Sequence, residues 1–168
     1  MEIRNLYDLA KQQNIEVIPY PMAEHGSMSV MLDSGACFIG MDESVRDGGV
    51  QERVHLSHEI GHCVTGSFYN IHAAVDCRQR HENRANKWAI QALIPVDDLD
   101  DAIADGCTEV WELAERFQVT EEFVRKAVCY YVHGNVATEL YFDGEPLKIH
   151  FKPQISQKKD CQNEKGVL

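Results

Sequence analysis

Positive charge is what this sequence has too little of: 16 Lys and Arg stand against 27 Asp and Glu, a formal net charge of −11. A nucleic-acid-binding protein normally presents a basic face, so this balance argues against direct binding to DNA or RNA. Long apolar runs are also missing. No stretch approaches the roughly 18 residues that would cross a bilayer, and Met1-Glu2-Ile3-Arg4-Asn5 lacks the layout of a signal peptide. The six cysteines, at positions 37, 63, 77, 107, 129 and 161, contain no Cys-x-x-Cys pair and no regular spacing. The chain therefore reads as soluble and cytoplasmic, with reduced thiols and no membrane partner. Internal repeats and low-complexity blocks are absent too. What remains is a chain of 168 residues with 44% apolar content, enough for one domain with a real core.

One stretch organises that chain: Val54-His55-Leu56-Ser57-His58-Glu59-Ile60-Gly61-His62-Cys63-Val64. On an α-helix His58 and His62 project about 40° apart on one face, one turn from each other, so both imidazoles can share one zinc ion. Glu59 sits about 100° round from His58, within reach of a water at the metal but badly placed to join the two histidines as a ligand. That position suits a general base. Gly61 in a helix interior costs about 1 kcal/mol against Ala, a cost usually accepted where another backbone packs close. Cys63 points about 100° away from His62 and reads as a core residue.

A zinc that does chemistry needs a third protein ligand and an open fourth position. His72, Asp76, His81 and Glu82 lie downstream, with His55 upstream. His55 shares the histidine face but lies about 10 Å from His62 along the axis, so all three cannot hold one ion. Glu82 opens a helical pattern in which Ala85, Ala89 and Leu93 recur on one side, which points its carboxylate along the buried stripe. Glu82 is the expected third ligand. A metzincin arrangement fails, because its glycine and third histidine would fall at Thr65 and Phe68.

His58-Glu59-Ile60-Gly61-His62, then Glu82-Asn83-Arg84-Ala85-Asn86-Lys87-Trp88-Ala89, then Leu93-Ile94-Pro95 resemble the ImmA/IrrE family of metallopeptidases. That family typically shows His-Glu-Leu-Gly-His, Glu-x-Glu-Ala-Asn/Asp-x-Phe-Ala and Leu-Leu-Met-Pro in this order. Arg84 stands where the second glutamate falls and Trp88 replaces the phenylalanine; the three expected ligands are intact. The resemblance is good over residues 50 to 95 and looser in the flanks. It implies a zincin-like fold, a zinc endopeptidase, and a protein substrate: helix-turn-helix repressors of mobile elements or stress responses.

Around this centre, residues 1 to 14 read as an amphipathic helix closed by Asn14, and Ile15-Glu16-Val17-Ile18-Pro19 as a strand. Ser29–Leu32, the turn Asp33-Ser34-Gly35, and Ala36–Gly40 read as a hairpin. The motif helix should run from about Val50 to Val64 and stop near Gly66; the glutamate helix should run from about His81 to Ile94. Residues 66 to 81, with Tyr69, His72 and Asp76, read as a solvated connector, the alternative being a loop that supplies a transition-state donor or a carboxylate behind a ligating histidine. Val96 to Glu122 holds ten acidic residues against Arg116 alone. Within it, Val110 to Ala127 has a helix-turn-helix rhythm with Thr120 as a cap, yet Glu121 and Glu122 stand where phosphate would approach. This pair reads as packing or protein recognition. Glu139–Phe142, Asp143-Gly144 and Leu147–Phe151 read as a terminal hairpin, and 152 to 168 as a frayed polar tail.

These readings combine into an α+β zincin-like domain over residues 1–133, with a small sheet beside the motif helix and a helical subdomain at about 97–133, followed by an appendage at 134–168. One zinc per chain is held by His58, His62 and Glu82, and Glu59 is catalytic. The rivals are a non-catalytic zinc-containing regulator that binds a repressor through the acidic helices, and a DNA-binding regulator that the charge balance disfavours.

Overall fold

The computed structural model describes residues 1–22, 25–70 and 72–141. The chain begins with helix α1 (Ile3–Gln12), whose Leu6 and Ala10 are buried. Asn14 then takes a left-handed conformation (φ 55°) and turns the chain into strand β1 (Ile15–Pro19). Strands β2 (Ser27–Met31) and β3 (Cys37–Met41) form the expected hairpin, each displaced slightly from its sequence-based bounds. Its turn needs Gly35 at φ 83°, a region that side chains rarely enter. The sheet order is β1-β3-β2, with β1 parallel and β2 antiparallel to β3. Strand β2 is therefore an edge.

Helix α2 (Val50–Thr65) carries the motif and ends at Gly66 (φ 62°), as the sequence predicts. Register puts Val17, Ile39 and Ser29 in one row across the sheet, and the neighbouring row joins Met41 to Ser27. Ile39 and Met41 are fully buried with Leu56 and Ile60 of α2 in one core. Ser27, in the same alternation, is buried as a polar residue at the end of β2.

Helix α3 (Val75–Leu93) is longer than predicted, starting six residues before His81. Asp76 thus lies in its first turn, where a carboxylate is favoured, and pairs with Arg80 at 3.8 Å. No proline or glycine interrupts residues 75 to 81, and a connector read from polarity alone missed that. Pro95 ends the helix region as expected and leads directly into α4 (Val96–Ala104).

Helices α5 (Val110–Phe117) and α6 (Glu121–His133) form the anticipated pair. The Thr120 hydroxyl accepts the Phe123 N–H at 3.2 Å, and Glu109 and Glu112 form a capping box on α5. Leu113, Phe117, Phe123, Val124 and Ala127 join the same core as α1 and α2. Buried Arg53 of α2 donates to the carbonyls of Phe117 (2.7 Å) and Gln118 (3.1 Å), fastening the motif helix to the end of α5. A short 3-10 turn (Thr138–Leu140) replaces the start of the expected terminal strand. The rest of that hairpin and the tail, 142 to 168, lie outside the described residues. Among the described residues no helix is long and apolar enough to cross a membrane.

Candidate metal centre

The crossing of α2 and α3 builds the site. Gly61 approaches α3 so closely that a Cβ placed on it would lie 2.6 Å from the Ala85 carbonyl oxygen. Ala85, fully buried, is one turn beyond Glu82 on α3, and Gly61 is one residue before His62 on α2. Close approach at this point brings the three side chains together: His58 Nε2 lies 3.2 Å from Glu82 Oε2, His62 Nε2 lies 3.4 Å from Glu82 Oε1, and the two Nε2 atoms are 3.1 Å apart. The imidazole rings meet nearly at right angles.

A tetrahedral ion with ligand bonds of about 2.1 Å separates its donors by about 3.4 Å. The observed spacings are of that size, although the two to Glu82 run to different carboxylate oxygens, and two imidazoles with one carboxylate are the donor set of a catalytic zinc. The ring of His62 is oriented for this role by its far nitrogen. Nδ1–H donates to the Ser67 carbonyl at 2.6 Å, which leaves Nε2 as the lone pair facing the cluster. Burial alone would lower the His62 pKa, but the bonds to Glu82 and to the Ser67 carbonyl outweigh it and hold it above the ordinary value. For Glu82, burial would raise the pKa, yet hydrogen bonds from His58, His62 and Tyr69 keep it well below the usual carboxylate range. The Tyr69 hydroxyl donates to Glu82 Oε1 at 2.8 Å, and burial followed by that bond pushes its pKa up to about 12. Tyr69 therefore stays a donor.

The segment between α2 and α3 is thus more than a solvated connector: it supplies the Ser67 carbonyl that orients His62 and the Tyr69 hydroxyl that holds Glu82. Tyr69 was visible in the sequence, whereas a backbone carbonyl carries no residue-type signal. The other candidates do not converge. Asp76 faces Arg80, His72 is exposed, and His81 packs its ring 6.0 Å from that of Tyr69. His55 lines the same cleft but is not one of the three converging residues, and it bonds through Nδ1 to the Ser27 hydroxyl at 2.9 Å; burial lowers its pKa.

Glu59 is buried, and its Oε1 accepts the Ser27 hydroxyl at 2.9 Å. Ser27 was not singled out by sequence reasoning, because a lone serine at the start of a strand has no distinguishing pattern. Glu59, Ser27, His58, His62 and Glu82 all line one cleft of about 660 Å³, bordered by Met28 and Ser29 of the β2 edge and by Tyr69 and Arg78. A second hollow continues past His58 and Glu82 to Glu122, Phe123 and Lys126 of α6, so that helix flanks the centre as well as packing behind it. Cys63 is packed against the core, and burial, ahead of a contact with Cys37, raises its thiol pKa far above the ordinary value.

No curated protein matches the chain. The family model described as the IrrE N-terminal-like domain, Peptidase_M78, matches residues 10–128 and so takes in both site helices, α5 and the first part of α6. With that match over more than half of its length, and with His58, His62 and Glu82 drawn together as a metallopeptidase requires, the chain belongs to the Peptidase_M78 family.

Proposed function

We propose that the protein is a zinc-dependent endopeptidase with one metal per chain. The observation that carries this reading is the convergence of His58, His62 and Glu82 in a cleft that also holds the Glu59 carboxylate. Zinc, when bound there, supplies a Lewis acid that acidifies water and polarises a peptide carbonyl. Glu59 takes the proton from the attacking water and hands it to the leaving amine. His62, locked by Ser67, and Glu82, held by Tyr69, keep the donor atoms in place during these transfers.

Substrate access follows from the sheet. The edge strand β2 borders the cleft, so an extended segment can add to it as a further strand with its scissile bond lying across Glu59. The family resemblance supports a protein substrate, and a helix-turn-helix repressor of a mobile element or stress response is the class it favours. The acid-rich stretch of α4 to α6 is the region through which a basic protein partner would dock.

Glu59→Gln tests this. The variant keeps size and hydrogen-bonding capacity but cannot accept a proton at neutral pH, so it should retain zinc, still bind substrate, and lose cleavage by about 10²- to 10⁴-fold. Proteins trapped from the native cell with this variant are then incubated with wild type, which should cut them. Wild-type cleavage by Glu59→Gln refutes the mechanism, and full biological activity without any cleavage favours a non-catalytic regulator.

A further inference from the structure

The Ser27 hydroxyl stands between Glu59 and His55, 2.9 Å from Glu59 Oε1 and 2.9 Å from His55 Nδ1. Serine and glutamate are 8% and 6% exposed, so neither bond competes much with water. The proton positions follow from counting. An ionised carboxylate only accepts, and a hydroxyl has a single proton, so Ser27 donates to Glu59 and must accept from His55 Nδ1–H. The chain of bonds runs one way, from His55 through Ser27 to Glu59.

Oε1 of Glu59 is thereby occupied. Oε2 is left as the oxygen free to meet a water, and the carboxylate plane is held by a strand that α2 does not contain. The local backbone is shaped for this contact. Gly26 has φ 68°, and a Cβ on it would come within 3.1 Å of His55 Cε1 and 2.9 Å of Val45 Cγ1, so the chain can lie against the ring only without a side chain there.

We propose that Ser27 and His55 are positioning residues for the reaction, fixing which oxygen of Glu59 receives the proton. The inference rests on reading Glu59 as the general base. Because Ser27 is the first residue of the edge strand that borders the cleft, the same hydroxyl joins the substrate-binding edge to the base.

The test uses the full-length zinc-loaded chain and fluorescently labelled casein as an unfolded-protein probe. Ser27→Ala should keep its zinc and its KM while kcat falls about tenfold to a hundredfold, the usual loss for a group that orients a reacting one. Ser27→Thr, which restores a hydroxyl, should recover most of that loss. His55→Asn, which can place an N–H where Nδ1 was, should be more active than His55→Leu; these two variants keep the test decisive if Ser27→Ala misfolds. Long-range ¹H–¹⁵N spectra of the wild type, read without any substrate, should show the His55 proton on Nδ1 and its signal should move in Ser27→Ala. Wild-type kcat in Ser27→Ala, equal activity of His55→Asn and His55→Leu, or a His55 proton on Nε2 overturns the proposal. Failure of the wild type to cut casein counts against the endopeptidase reading alone, and the His55 spectrum then decides the hydrogen-bond chain by itself.

Discussion

Gly61 and Ala85 pack backbone against backbone where the two site helices cross: a methyl group on Gly61 would press 2.6 Å from the Ala85 carbonyl oxygen and 3.1 Å from its Cα. Neither partner atom is the end of a flexible side chain, so the helices themselves would have to separate. Alanine at 61 would gain about 1 kcal/mol of helix propensity, but overpacking against backbone costs about 1–3 kcal/mol or more. Gly61→Ala is expected to lower the unfolding midpoint. It should also weaken zinc affinity, because moving α3 takes Glu82 away from His58 and His62. Thermal unfolding with and without zinc measures both.

Glu82→Ala should release zinc as His58→Ala does, whereas His72→Ala, Asp76→Ala and His81→Ala should retain it. Metal analysis of the purified variants decides the third ligand. Full zinc in Glu82→Ala together with loss in either Asp76→Ala or His81→Ala would make the assignment wrong.

Arg53 ties the motif helix to the α5–α6 pair through two backbone carbonyls. Arg53→Ala leaves the carbonyl of Phe117 buried without that donor, at a cost of about 2–3 kcal/mol. Arg53→Lys should recover only part, because both bonds leave Nη1 at the far end of the guanidinium and the shorter lysine stem carries its ammonium less far. Urea unfolding of the three proteins gives the comparison; equal midpoints for Arg53→Ala and wild type would show that the bridge is dispensable.

In the metal-free protein the two site shifts act in opposite directions. Glu82 has its folded pKa lowered, so its contribution is present above its ordinary value of 4.5 and is lost as pH falls through the lower folded value. His62 has its folded pKa raised, so its contribution is present below its ordinary value of 6.5 and is lost as pH rises through the folded value. Both operate together between pH 4.5 and 6.5. Chelated protein should therefore gain stability in that window relative to Glu82→Gln, and zinc should move the advantage to higher pH because its ligands bind deprotonated. Melting temperatures across pH 4 to 8, with chelator and with zinc, check the sign; an identical profile for Glu82→Gln would count against the coupling.

The sequence by itself determined the local geometry of the centre. His58, Glu59 and His62 needed only the helical period to be assigned their directions, and Glu82 needed only the stripe made by Ala85, Ala89 and Leu93. Gly61 announced a close neighbour because its cost in a helix interior demanded a reason. The strand at 15–19, the hairpin, the end of the motif helix at Gly66 and the Thr120 cap were legible for the same reason, since turns and caps are chosen by residue type within a few positions. Only the tertiary structure decided which groups meet across the chain. Ser27 reaches Glu59 over 32 positions and Arg53 reaches Phe117 over 64, through bonds that depend on how elements pack and on a carbonyl that every residue possesses. The early start of α3 was hidden because a polar helical turn and a polar loop share a composition, and what separates them is the α2–α3 crossing at Gly61 and Ala85 that holds α3 against the motif helix.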